Sequence, residues 1–142
     1  AGLRPGRIVC EITEHGGDEA TIARLVDELR GSMFKIAVDD FGAEDSDIAR
    51  VDKLKPDVIK FDSAWVRRFT ETSAGRSLLE LMVGQFIERG ITVLFEGLEE
   101  EDQIDFCREV GVPLMQGFAL ARPELAPTTF HERFPEPEAA YQ

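Results

Sequence analysis

The sequence predicts an α/β fold of repeated βα units with mostly parallel strands, and three observations carry that prediction. Short runs rich in Val, Ile and Phe recur along the chain and stop on acidic groups: IVCE at Glu11, IAVDD at Asp39 and Asp40, VIKFD at Asp62 and VLFE at Glu96. The runs are close to continuous in apolar residues, the pattern of parallel strands buried on both faces. Between them, apolar residues return every three and four positions, the spacing of amphipathic helices.

In chain order, IVCE is the first strand. Asp18 to Arg30 then carries Ile22, Leu25, Val26 and Leu29 on one helical face, and Gly31-Ser32 ends it. KIAVD enters the second strand. Asp45 to Leu54 is a weaker helix with Ile48, Val51 and Leu54 to one side, broken by Lys55-Pro56-Asp57 before VIKFD, the third strand. Gly75 to Arg89 presents Leu79, Met82, Val83 and Phe86 on one face, Gly90 stops it, and ITVLFE is the fourth strand. Glu100 to Val110 opens on acidic residues, favourable beside a helix amino-terminus, and Gly111 closes it. A last short strand falls around Leu114 to Leu120. From about Pro135 the Pro/Glu-rich end reads as a frayed tail, which divides the chain into a domain over 1–134 and a flexible tail over 135–142.

Right-handed βαβ units build an open doubly wound sheet or a closed barrel. No G-x-G-x-x-G stretch follows the first strand, so the dinucleotide fingerprint is absent. A complete (β/α)₈ barrel takes about 250 residues, more than the 142 present. Either the sheet is open or the chain forms part of a barrel.

Composition narrows the function. A net charge of −12 repels nucleic acid and anionic membrane and leaves no basic stripe for polynucleotide phosphates. A small phosphate ester remains compatible with that charge if divalent metal lies between the two sets of anions. No apolar run approaches the roughly 20 residues of a membrane span, and AGLRPGR carries no apolar core of a secretory signal. Cys10 and Cys107 lie far apart in a strand-like and a helix-like run, which suits buried thiols in a reducing cytoplasm. Trp65, Phe69, Phe86 and Phe106 read as core, and His15 and His131 as surface residues.

Carboxylates at the carboxyl ends of parallel strands gather at one rim, where α/β enzymes keep their chemistry. Two divalent ions about 4 Å apart need several carboxylates, one bridging, to clamp a phosphoryl displacement. Glu11, Asp39, Asp40 and Glu96 are that ligand type in that place. Neighbours on a strand point to opposite faces, so Asp39 and Asp40 can converge only where the strand ends and the chain turns, which Gly42 permits. The competing reading is that these acids cap the helices that follow. Lys60, inside an apolar strand, is a natural counter-charge to such a cluster. Gln116 is placed to hydrogen-bond a ligand or to pair with backbone.

Five segments in order now resemble one family: EITE at Glu11 to Glu14, DDFG at Asp39 to Gly42, LKPDVIKFD at Leu54 to Asp62, FEGLE at Phe95 to Glu99 and MQGF at Met115 to Phe118. Together they are similar to the carboxyl-terminal part of the EAL domain, over about Arg7 to Pro123. The resemblance implies a partial TIM-type (β/α) barrel of about five strands with surrounding helices. It also implies a place in bacterial cyclic di-GMP signalling, where the family hydrolyses that dinucleotide to pGpG with two Mg²⁺ or Mn²⁺ ions. It further implies that Glu11, Asp39, Asp40 and Glu96 are metal ligands, Asp39 bridging, and that Lys60 holds the attacking water or the scissile phosphate. Glu99 would assist catalysis, Gln116 would bind substrate, and Glu14 would brace the loop after DDFG.

Two departures shape the expectation. The namesake Glu-Ala-Leu and the following Asn, metal ligands in the family, do not occur in this sequence. The loop after DDFG reads Ala43-Glu44-Asp45-Ser46, without the family's Thr-Gly and aromatic. The expectation is a regulatory or interaction module that does not hydrolyse cyclic di-GMP alone, prone to pair with a partner or a second copy through exposed strand edges. The alternatives are a fragment, or a swapped assembly, of an active phosphodiesterase, and a different metal-dependent barrel of enolase type, against which QGF and FEGLE count.

Overall fold

A computed structural model describes residues 4–13, 18–42 and 47–122. After a 3₁₀ turn at Pro5–Arg7 come β1 (Val9–Ile12), α1 (Glu19–Gly31), β2 (Lys35–Phe41), α2 (Asp47–Leu54) and β3 (Val58–Phe61). Two helices follow, α3 (Ser63–Thr70) and α4 (Ser73–Glu88), then β4 (Thr92–Phe95), α5 (Glu101–Val110) and β5 (Leu114–Met115).

The five strands pair in parallel in the order β1-β2-β3-β4-β5. That order decides the architecture. Each right-handed crossover steps the sheet in the same direction, so every helix lands on one face, as around a barrel, whereas a doubly wound sheet reverses and covers both. The covered face is apolar throughout. Ile36 and Val38 pack with Val26 of α1 and Leu54 of α2. Ile59, Phe61, Val93 and Phe95 pack with Val66, Leu79, Val83, Phe86, Ile104 and Phe106 from α3, α4 and α5. The opposite side of the same strands, by alternation, carries Glu11, Ala37, Asp39, Lys60, Leu94 and Glu96. Burial on both faces was the expectation; among the described residues only one face is covered, and Val9 and Leu114 on the other are 45% and 44% exposed.

The helix ends use the chemistry that the sequence offers. Thr72 Oγ1 accepts from the Gly75 amide at 3.0 Å at the start of α4. Gln103 returns its amide oxygen to the Glu100 N–H at 3.0 Å at the start of α5. Gly90 and Gly111 leave the ends of α4 and α5 with φ of 78° and 80°. The guanidinium of Arg30, at the end of α1, donates to the carbonyls of Leu54 and Lys55 and so ties α1 to the end of α2.

Three sequence expectations change. An additional helix, α3, lies between the third strand and the long helix; Asp62 caps it, its carboxylate accepting from the Trp65 N–H at 2.9 Å. The last strand is only Leu114–Met115, because Gln116 onward turns back: the Leu98 amide donates to Gln116 O and the Ala119 amide to Leu98 O. The second strand runs to Phe41, beyond the acidic pair. The tail over 135–142, the loop at 43–46, His15, His131 and Glu14 lie outside the described residues. No helix among those described is long and apolar enough to cross a membrane.

Candidate metal centre

The site stands on the carboxyl ends of β1 to β4. Lys60 enters it from the middle of β3, where neighbours Ile59 and Phe61 face the helices and the alternation turns its long side chain to the open face. The residue is 9% exposed, the one buried charged residue among those described. Its ammonium reaches Glu11 Oε1 at 3.0 Å, Glu96 Oε2 at 3.1 Å and Asp39 Oδ1 at 3.3 Å. One cation thus collects carboxylates from three strands.

Asp39 and Asp40 come together differently from the expectation. Val38 pairs with Ile59 and Phe41 with Phe61, so two residues of β2 face the single Lys60 of β3. That is a β-bulge inside the strand, not a turn after its end. Asp40 takes a φ of 51°, in the left-handed region where Asp is better tolerated than most side chains. The extra residue restores the alternation, so Phe41 still reaches the core while Asp39 and Asp40 share the mouth. Carboxylate oxygens of Asp39, Asp40 and Glu96 lie within 4.8 Å of one another. Glu11 is outside that trio; it is half exposed and engaged by Lys60.

The electrostatics of the cluster are unbalanced. Burial alone would lower the Lys60 pKa, but hydrogen bonds to Glu11 and Glu96 and the charges of Glu96 and Asp39 raise it above its ordinary value. Lys60 is therefore charged at any physiological pH. Burial pushes the Glu96 carboxyl up to about 7. Lys60 opposes that shift, while the charge of Asp39 and a hydrogen bond with Asp40 reinforce it. Four carboxylates gather around one ammonium, and Glu96 keeps its proton up to about pH 7.

That imbalance fits a divalent cation. Asp39 Oδ1 is buried with no hydrogen-bond partner; Lys60 lies 3.3 Å away but off the line a hydrogen bond requires. A buried carboxylate oxygen left so is costly unless a cation takes it. Three carboxylates are hard oxygen donors suited to Mg²⁺, Mn²⁺ or Ca²⁺.

Two further predicted residues, Glu99 and Gln116, occupy the rim. Glu96, Glu99, Gln116, Asp62, Gly97 and Phe118 line a cleft of about 330 Å³ that opens beside the trio. Glu99 is exposed and lies 3.8 Å from Arg67 of α3. Gln116 is held by backbone, its N–H donating to Phe95 O, and the residue lines the cleft. Asp62, one of the strand-end acids, serves as the α3 cap. For that one residue the competing helix-cap reading was right, and the Asp-Ser-Ala-Trp spacing before Val66 and Phe69 was the signal for it.

Residues 1–123 match the model of the family described as EAL domain. The chain belongs to the EAL domain family. It is 27% identical over 117 residues to a probable cyclic di-GMP phosphodiesterase, PdeD, of Escherichia coli K12, covering 82% of this chain and 22% of PdeD. The EAL-domain protein YkuI of Bacillus subtilis, solved with cyclic di-GMP and calcium, superposes with a TM-score of 0.73 at 27% identity, over 93% of this chain and 34% of that one. BlrP1 of Klebsiella pneumoniae, solved with manganese and the same dinucleotide, gives a TM-score of 0.73 at 31% identity, over 82% of this chain and 30% of that one. The chain thus spans about a third or less of each of these relatives. Five parallel strands in sequential order with their helices are the partial barrel that the EAL fold implies.

Proposed function

We propose that this chain is a regulatory EAL module of cyclic di-GMP signalling in the cytoplasm, binding one divalent metal, Mg²⁺ or Mn²⁺, on Asp39, Asp40 and Glu96, and not hydrolysing the dinucleotide by itself. The observation that carries this reading is the trio of carboxylates within 4.8 Å beside an orphaned Asp39 oxygen. An ion held there would act as a Lewis acid toward a phosphoryl oxygen. Lys60 holds Glu11, Asp39 and Glu96 in place and supplies a fixed positive charge toward a phosphate. Gln116 and Glu99 present polar groups in the adjoining cleft. A two-ion clamp requires a further set of ligands, and among the described residues only this one trio qualifies. The domain would occupy 1–134, with 135–142 as its tail.

The test is calorimetry with Mn²⁺ alongside a turnover assay on the isolated chain. Binding of Mn²⁺ without conversion of cyclic di-GMP to pGpG is expected. Conversion at an enzyme-like rate overturns the regulatory reading, and no binding of Mn²⁺ overturns the site.

A second reading is favoured by the sheet face left uncovered among the described residues, where Val9 and Leu114 are about half exposed and β1 and β5 each pair on one side only. Strands supplied by a longer parent protein or by a second copy would cover that face and could complete a two-metal phosphodiesterase. Activity confined to a longer or dimeric species would support it.

A further inference from the structure

We propose that Trp65 is the positioning residue that holds the Asp39–Asp40 bulge in the shape that brings both carboxylates to the metal. The inference rests on the reading of Asp39, Asp40 and Glu96 as a cation site. The bulge holds Asp40 at a φ of 51°, a costly conformation for a residue with a side chain, and Gly42 two residues later turns at 99°, which glycine adopts freely. Such conformations persist only where surrounding structure over-determines them. Gly42 is also the residue with the widest freedom to let the chain relax away.

What stands against Gly42 is the indole. A Cβ on Gly42 would sit 2.4 Å from Trp65 Cγ, 2.5 Å from Cδ2 and 2.8 Å from Cδ1. The five-membered ring therefore lies directly against the Gly42 backbone, closer than any side chain would allow. The same ring meets Phe41 edge-on at 5.8 Å and Phe61 at 5.5 Å between centroids. It thus touches the two residues that leave the bulge and the β3 residue paired with one of them. Trp65 is itself fixed, its backbone N–H held by the Asp62 carboxylate at 2.9 Å and its ring stacked on Phe69 at 4.3 Å. The first turn of α3 in this way presses on the segment that sets the direction of Asp40.

A merely structural tryptophan would contribute to stability alone. Phe69 provides the comparison, because it packs on Trp65 and the core but has no contact with Gly42 among those closest to it. Trp65 is the only tryptophan, so its emission reports on the segment beside the site in the unmodified chain. The experiment measures Mn²⁺ affinity from the paramagnetic resonance of free Mn²⁺ in every variant, and from quenching of Trp65 emission in the wild type and Phe69→Ala, together with urea unfolding. Trp65→Ala is expected to weaken Mn²⁺ binding about tenfold, the effect of losing a group that orients a metal ligand. Trp65→Phe, which keeps a flat ring over Gly42, restores most of it. Phe69→Ala loses stability yet binds Mn²⁺ like the wild type. If Trp65→Ala does not fold, Trp65→Leu, which retains apolar bulk without the flat ring, takes its place under the same criteria. Unchanged Mn²⁺ affinity in the folded Trp65 variant, or an equal loss in Phe69→Ala, overturns the proposal while leaving the metal site standing. A wild-type chain that binds no Mn²⁺ removes the site and the proposal together.

Discussion

The two faces of this sheet are built by different forces. On the helix-covered face, Ile36, Ile59, Phe61, Val93 and Phe95 are at 0% exposure and interlock with apolar side chains from all five helices. On the other face, a few ångströms away through the same backbone, one ammonium gathers acids from three strands. The first face is non-directional and tolerant, since any well-shaped apolar residue would serve. The second depends on position and protonation, because unpaired buried charge is expensive and distance decides whether it is paired. Stability and chemistry are thus separated by one residue of strand register.

The largest effect belongs to the covered face. Phe61 contacts Phe41, Trp65, Phe86 and Phe95 at ring separations of 4.9 to 6.1 Å. Phe61→Ala should cost about 3–5 kcal/mol, the usual penalty for emptying an aromatic site in a core, read from urea unfolding. A loss under about 1 kcal/mol would place the core elsewhere.

On the charged face, Lys60→Met should cost about 3 kcal/mol in metal-free buffer, because removing one member of a buried cluster strands the others. The half-exposed Glu11 keeps the loss near the low end. Added Mn²⁺ should recover more stability in Lys60→Met than in the wild type, as the divalent ion takes over from the ammonium. Equal recovery in both proteins would separate Lys60 from the cation site.

The smallest effect is the pH response. Glu96 titrates at about 7 in the folded chain against 4.5 ordinarily, so between those values the folded form keeps a proton that the unfolded form releases. Metal-free stability should therefore fall as pH rises from 4.5 toward 7 and then level. The raised pKa of Lys60 acts in a separate window: its contribution is complete below 10.5 and fades as pH climbs above that. Mn²⁺ must displace the Glu96 proton, so its affinity should increase up to about pH 7 and then flatten. Calorimetry across pH 5 to 8, with Glu96→Gln as the proton-blind control, checks both slopes; identical profiles in the two proteins would contradict the assignment.

Much of this was legible in the chain itself. Four strands, four helices and the parallel order follow from apolar runs and three-and-four spacing, and five ordered motifs named the family. Glu11, Asp39, Asp40, Lys60 and Glu96 were all visible as strand-end or mid-strand charges. The missed helix at Ser63–Thr70 is short, and its cap, Asp62, reads in the sequence only as the acid that ends the third strand. The overlong last strand failed because, after Gln116, the chain turns back to bond Leu98 and Gly117 instead of continuing along β4.

Local pattern therefore determined which residues lie on strands, which face they share and that acids crowd one rim, because periodicity and strand-end position are properties of consecutive residues. Tertiary structure alone decided that Asp39 and Asp40 converge through a bulge, that Lys60 rather than solvent neutralises Glu11, and that an indole closes on Gly42. Those outcomes depend on registers and contacts between segments far apart in the chain, and no stretch of sequence carries them by itself.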